Sequence, residues 1–515
     1  MSLRIGVDVG GTNTDAVLMD DRKVLAKLKT PTTENVTLGI TTAIASVLEQ
    51  SGTDTAAITS VMIGTTHFTN AIVERRHLQQ VGVIRIGLPA TAALPPMVDW
   101  PEDLVAAVRG ATYLVHGGYE FDGRPIAPFD ADAAKVAARE IKDSGIAAVA
   151  ISAVFSPVNN DQEELVAEIV RAEITDAVVS LSNEIGRIGL LERENAAILN
   201  ACLGQLAAIT VNGFEQAIAE LGISAPLYLT QNDGTLMVAD FARTYPVLTI
   251  ASGPTNSMRG AAFLSGLTDA VVVDIGGTTT DIGMLTHGFP REASVAVEVG
   301  GVRTNFRMPD VYSVGLGGGS HVDLATMTIG PRSVGFRLTQ DARVFGGGQL
   351  TTSDIAVAAG IVDFGNAGLV SDLAVDQVAT ALDAIQQIVE VAVDRMKTSA
   401  EPVPVIVVGG GSVLISRDVK GASQMVTPDH FEAANAVGAA IAQISGETDR
   451  VYSLEKLSRT EALEDARKEA TNRAVAAGAD PETVTIVDVE DVPLAYLPGN
   501  ATRIRVKAVG DLVIA

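Results

Sequence analysis

Apolar residues set the rhythm of this chain. In "LRIGVDVGGTNTDAVLMD" (Leu3 to Asp20) an apolar run, a glycine turn and a second apolar run predict strand, tight turn, strand. "AVVVDIGGTTTDIGML" (Ala270 to Leu285) repeats that shape. A third run, "VIVVGGGSVL" (Val405 to Leu414), predicts a buried strand ending in a glycine loop. "DADAAKVAAREIKDSGIAAVAISAVFSP" (Asp130 to Pro157) reads as a helix followed by a buried strand, one α/β unit. Two helical stretches carry small residues on one face. "NAAILNACLGQLAAI" places Ala201, Gly204 and Ala208 together, and "HFEAANAVGAAIAQI" places Ala434, Gly438 and Ala442 at i, i+4, i+8. After Ser445 the pattern changes to a charged surface helix, "RTEALEDARKEATNRAVAAG", and two strand-like runs, "TVTIVDVEDV" and "ATRIRVKAVGDL". The reading is an α/β protein with limits at 1–190, 191–446 and 447–515, the last a small C-terminal α/β appendage.

One phrase occurs twice: "DVGGTNTD" (Asp8 to Asp15) and "DIGGTTTD" (Asp274 to Asp281). Gly10-Gly11 and Gly276-Gly277 permit a turn that exposes backbone N–H groups without a Cβ in the way. With hydroxyls beside them, such N–H groups make a concave site for phosphate. The candidate cradle is Gly10, Gly11, Thr12, Asn13 and Thr14, matched by Gly276, Gly277, Thr278 and Thr279. Asp8 and Asp274, at the strand ends, are candidate ligands for a hydrated Mg²⁺, which binds through one or two carboxylates and keeps several waters. Asp15 and Asp281 close each phrase and either orient the loops or a water, or cap the turn. A lone copy would read as a hairpin turn, but turn formation does not require the same Asp and Thr twice. Neither copy has the spacing or Lys of a Walker loop, or the spacing of a dinucleotide fingerprint.

Composition narrows the class. At 515 residues, 47% hydrophobic and 19% charged, the chain can bury several cores and is not disordered. A net charge of −25 argues against a nucleic-acid partner and against an anionic membrane surface. Cys202 is the sole cysteine, which rules out intrachain disulfides and fits a reducing cytoplasm. The N-terminus enters a strand at once, without a signal-peptide pattern, and runs such as Val403 to Gly411 fall short of a membrane span. The six histidines lack zinc-site spacing, and Cys202, on a small-residue helix, reads as a buried structural thiol.

Two matched loops facing one phosphate chain resemble the actin, Hsp70 and sugar-kinase superfamily. The resemblance implies two actin-like (ribonuclease H-like) halves around a nucleotide cleft. It also implies a nucleoside loop, matched by Gly409, Gly410, Gly411 and Ser412, and hinge helices between the halves, for which the two small-residue stretches are candidates. "GTTHFTNAIVERR", "LLERENAAILNA", "SGPTNSMRGA", "GLGGGSHVDL" and "IGPRSVG" follow the order of a narrower family, the hydantoinase A/5-oxoprolinase proteins. That resemblance runs from the N-terminus to at least Gly446. It implies ATP and Mg²⁺ as cofactors, a small cyclic amide such as a hydantoin or 5-oxoproline as substrate, and a B-type subunit as partner. It suggests Thr65, Thr66 and Asn70 on the substrate side. The chain departs from the family pattern at Asn13, His67, Thr255-Asn256-Ser257 and along "RLTQDARVFG" (Arg337 to Gly346), departures expected to touch the substrate region and leave the nucleotide motifs intact.

The implied chemistry is phosphorylation of an amide oxygen, which makes it a good leaving group so that water can open the ring. Three rivals stand beside it: a small-molecule kinase, a carboxylase subunit, and a nucleotide-driven binding switch without substrate chemistry.

Overall fold

The computed structural model describes residues 2–32, 36–293, 296–455, 457–495 and 500–513. Each glycine-loop phrase joins two antiparallel strands of its own sheet. Leu3–Val9 pairs antiparallel with Asn13–Asp20, which pairs antiparallel with Lys23–Pro31. On its other side Leu3–Val9 runs parallel to Ile58–Thr65, which runs parallel to Leu227–Thr230. The second sheet repeats this order. Ala270–Ile275 is antiparallel to Thr280–Thr286, which is antiparallel to Phe289–Pro290. On the other flank Ala270–Ile275 is parallel to Val403–Val408, which is parallel to Ala422–Val426. The strand order 3-2-1-4-5, with the first strand central, is the ribonuclease H-like arrangement, so the protein is built of two actin-like halves. The β-branched residues of the central strands explain their place: Ile5, Val7 and Val271 to Val273 are all fully buried.

The division of the chain differs from the limits at 1–190, 191–446 and 447–515. The first sheet has nine strands and gathers Leu3–Val9 through Ile58–Thr65, then Leu227–Val238, then Gln443–Ser453, Ala501–Gly510 and Thr485–Pro493. Gln443–Ser453 pairs with Thr235 and Leu236, so the C-terminal strands extend the first sheet instead of standing apart. Their helix, Arg459–Ala476, buries an alanine stripe, Ala462, Ala466, Ala470 and Ala474, against those strands. The second sheet is drawn from residues 270–426. A four-stranded parallel sheet, Arg109–His116, Val81–Leu88, Ala148–Ala153 and Val178–Leu181, is inserted in the first half.

The helix Leu190–Glu220 is long and apolar enough to cross a membrane, with a mean hydropathy of 1.4 in its most apolar window, but 72% of that window is buried inside the protein. It packs between the inserted sheet and the helix Val36–Ser51. Its Glu194 accepts from Arg85 Nε at 2.7 Å in a fully buried ion pair. Gly204 faces Val178, with 3.1 Å from an added Cβ to its Cγ1. The stripe of Ala201, Gly204 and Ala208 therefore belongs to the core of the first half and not to a hinge. Cys202 is buried here.

The helices that do cross at close range are Ser252–Ser265 and Ala434–Ala440. A Cβ on Gly260 would lie 1.8 Å from the carbonyl oxygen of Ala434, and one on Gly438 would lie 1.8 Å from that of Asn256. Two glycines, one on each helix, thus let the backbones touch. Ala434–Ala440 also lies on the first sheet, where a Cβ on Gly6 would meet the carbonyl oxygen of Ala436 at 2.2 Å. The helical stretch ends at Ala440, so Ala442 lies outside it. Gly260→Ala and Gly438→Ala are each expected to overpack this crossing and to destabilise the protein by about 1–3 kcal/mol, read as a lower urea midpoint.

Candidate functional site

The duplicated phrase folds into duplicated geometry. In the first loop Gly10 N donates to Asn13 O at 3.0 Å; in the second Gly276 N donates to Thr279 O at 2.9 Å. In both hairpins the two aspartates of the phrase are cross-strand partners, Asp8 with Asp15 and Asp274 with Asp281. Among the described residues, the amides of Gly11, Thr12, Gly277 and Thr278 make no backbone hydrogen bond, as a phosphate cradle requires. The loops are braced from behind. Thr32 donates from Oγ1 to Gly10 O at 2.8 Å, and Gly318 N and Gly319 N donate to the carbonyls of Gly276 and Gly277 at 3.0 and 2.7 Å. The two loops meet: Thr12 Oγ1 lies 3.5 Å from Thr278 Oγ1.

The remaining candidates fall in different places. Asn13 is half-buried and Thr279 exposed at their loops, while Thr14 is turned inward, its hydroxyl 3.3 Å from that of Thr32. Gly409, Gly410, Gly411 and Ser412 lie against the second loop. Gly411 N donates to Ile275 O at 2.7 Å, and Gly409, at φ +85°, leaves no room for a Cβ, which would stand 2.2 Å from Asp274 Oδ1. Thr65 is buried. The Thr66 methyl comes within 3.8 Å, and Asp8 Oδ2 within 3.9 Å, of a Cβ built on Gly253, which places Thr66 beside Asp8. Asn70 is exposed on the following helix.

The crossing helices deliver the carboxylates' partners, which sequence reasoning did not assign. Asn256 Nδ2 donates to Asp8 Oδ1 at 2.9 Å and to Thr230 Oγ1 at 3.1 Å. Asn435 Nδ2 donates to Asp8 Oδ2 at 3.1 Å and to Asp15 Oδ2 at 2.8 Å, bridging the first pair. The next residue after Asn256, Ser257, opposes the burial that raises the carboxyl of Asp274. Lys29 Nζ donates to Asp15 at 2.7 Å, and Ser313 donates to Asp281. The departure Thr255-Asn256-Ser257 therefore lies at the nucleotide motifs, contrary to the expectation that these were untouched. Its one visible signal was three adjacent polar residues in a helix rich in small residues.

Burial governs the charge here. It pushes Asp8 up to about 6; the hydrogen bond from Asn256 opposes this, and Asp15 adds to it. Burial likewise pushes Asp281 up to about 6 against the hydrogen bond from Ser313. Asp15 is raised by burial against Lys29, and Asp274 by burial against Ser257. Four carboxylates thus share one cleft with Lys29 beside them, and Asp8 feels the charge of Asp274. The donor set fits magnesium: hard oxygens, one carboxylate from each strand end, and an excess of negative charge. Among the described residues no three His, Cys, Asp or Glu side chains gather into a metal cage, so an ion held here would keep waters or take phosphate oxygens.

Comparison with known proteins places the chain. A model described as the hydantoinase/oxoprolinase N-terminal region matches residues 4–174, and one described as hydantoinase/oxoprolinase matches residues 193–366. The chain is 27% identical over 384 residues to caprolactamase subunit alpha of Pseudomonas jessenii, covering 69% of this chain and 54% of that one. It spans about half the length of the curated relatives it matches. Its fold is like that of the ATP-dependent caprolactamase from Pseudomonas jessenii, with a TM-score of 0.79 at 19% identity over 98% of this chain and 87% of that one. It is also like that of acetone carboxylase, whose structure concerns ATP-dependent acetone carboxylation, with a TM-score of 0.71 at 19% identity over 100% and 88%.

A pH dependence follows from the raised carboxyls. In the unfolded chain Asp8 and Asp281 lose their protons near pH ~4; in the fold they keep them to about 6. Across that window the folded state binds more protons, so its stability falls as pH rises from about 4 to about 6. Urea unfolding at both ends of the window is expected to show this fall, and Asp8→Asn to make it shallower.

Proposed function

We infer the function from a plain premise: the chain belongs to the hydantoinase/oxoprolinase family. It is the ATP-binding, A-type component of an enzyme that phosphorylates the oxygen of a cyclic amide. The observation that carries this reading is the pair of matched Gly-Thr loops facing each other at Thr12 and Thr278, each backed by a strand-end carboxylate. Such loops position a phosphate chain and cost no reorganisation when charge develops on it.

The residues divide the work. The amides of Gly11, Thr12, Gly277 and Thr278 cradle the phosphates, and Gly409 to Ser412 border the nucleoside side. Asp8 and Asp274 would hold magnesium, which supplies charge neutralisation for phosphoryl transfer. Asn256 and Asn435 orient Asp8, and Lys29 orients Asp15. The amide oxygen attacks the γ-phosphorus and ADP leaves. Water then adds at the amide carbon and the C–N bond breaks, releasing the amine and leaving an acyl phosphate; a second water displaces phosphate from it to give the carboxylate. Thr66, which borders Gly253 as Asp8 does, is assigned to the substrate side.

A carboxylase subunit is the second reading. The fold it shares with acetone carboxylase favours it, and the same loops would serve phosphoryl transfer to a different oxygen. The reading also gives the chain a second subunit. Its assigned chemistry is all phosphoryl transfer, and the match covers only 54% of caprolactamase subunit alpha, itself named a subunit.

Two expectations test this. Asp8→Asn and Asp274→Asn should each cut ATP turnover on the order of 10²-fold while the protein stays folded, by analogy with removing one preorganised electrostatic group; wild-type turnover in both would overturn the two-loop site. Purified chain with ATP, Mg²⁺ and a panel of cyclic amides should yield little ring-opened product by mass spectrometry, and gain it when a B-type subunit is added. Robust ring opening by the isolated chain would remove the partner and leave the ATP site standing.

A further inference from the structure

A cavity lies away from the glycine loops, within the first half. It measures about 970 Å³, within the range of small-molecule sites. Three parts of the chain wall it: residues 156–188 beside the inserted sheet, the turn and helix around 231–248, and the C-terminal strand and helix at 445–477. Leu236, Met237, Phe241 and Leu248 give it an apolar lining. The rest of its lining is charged with both signs. Arg187 and Arg307 stand there with Glu447 and Asp449: Arg307 pairs with Glu447 at 2.5 Å, and Arg187 Nε reaches Asp449 at only 3.7 Å.

Four buried polar atoms on this wall find no hydrogen-bond partner: Asn183 Oδ1, Arg187 Nε, Glu447 Oε2 and Thr448 Oγ1. Two of them sit in ion pairs without hydrogen-bond geometry. A buried polar atom without a hydrogen bond is destabilising, so Asn183 Oδ1 and Thr448 Oγ1, which have no ion pair either, call for a ligand group or an ordered water. A ligand here would lay an apolar body against Leu236, Met237, Phe241 and Leu248 and meet both signs of charge, from Arg187 and Arg307 and from Glu447 and Asp449.

We propose that this cavity binds a small zwitterion of the amino-acid type, an apolar chain carrying an ammonium at one end and a carboxylate at the other. Opening a cyclic amide produces a molecule of this class, and the identification of the ligand as reaction product rests on the function proposed above. The cavity also has a route to the carboxylates. Gln231 lines it, and the preceding residue, Thr230, accepts the hydrogen bond of Asn256, whose amide also donates to Asp8. A product seated here is one residue away from the group that orients Asp8, which suits a site that senses accumulated product.

Calorimetric titration of the full chain without nucleotide tests the site. The probes are 5-aminopentanoate, pentanoate and pentylamine at matched ionic strength. Saturable binding of the zwitterion is expected, with each half-probe at least tenfold weaker. Val238 lines the cavity and is 43% exposed, so Val238→Trp adds bulk to the cavity wall with little risk to folding. It should weaken zwitterion binding at least tenfold at an unchanged melting temperature. Absence of saturable binding, equal binding of either half-probe, or full affinity in Val238→Trp would each overturn the proposal. Because no ATP or amide is present, failure of the amide chemistry leaves this result untouched, and failure here leaves the glycine-loop site untouched.

Discussion

Carboxylates buried side by side cannot all stay ionised unless something answers their charge. That constraint organises this protein. Asp8 and Asp15 face each other across one hairpin, and Asp274 and Asp281 across the other. The answer comes from two helices that cross so closely that only glycine fits at the contact, at Gly260 and Gly438. The crossing matters because it brings Asn256, Ser257 and Asn435 to the carboxylates from outside both hairpins. A neutral amide can hold Asp8 in place without cancelling its charge, so the site stays receptive to a cation and a phosphate chain.

The same helices tie the two halves to one coordinate. Asn256 donates to Asp8 in the first half while Ser257, its neighbour, acts on the carboxyl of Asp274 in the second. A shift of Ser252–Ser265 relative to either sheet therefore disturbs both carboxylates at once. Thr12 and Thr278, facing each other across the cleft, would register the same shift in their separation.

Much of this was legible in the sequence. The repeated Asp-Gly-Gly-Thr phrase marks both loops because its chemistry is local: a turn, free amides and a carboxylate lie within eight residues. The strand order followed from recognising two such halves. What escaped was set by long-range pairing. Asn256 lies 248 residues from Asp8, and Asn435 lies 420 from Asp15, and no spacing rule links them. The limits of the halves escaped for the same reason, since Gln443–Ser453 returns to pair with Thr235 and Leu236. The helix Leu190–Glu220 was mistaken for a hinge because small residues at helical spacing serve equally when a helix lies flat on a sheet, as Gly204 does against Val178.

That returning strand has a consequence for how the protein is made. The strand Thr235–Val238 is the open edge of the first sheet until Gln443–Ser453 covers it. Everything between, including the whole second sheet, must leave the ribosome first. At about 5–20 residues per second the edge stays bare for roughly ten to forty seconds. An uncovered edge is a template for pairing with another chain. The second half, contiguous in sequence, can close on its own during that wait, so the nascent chain is most exposed to aggregation through the half that began to form first.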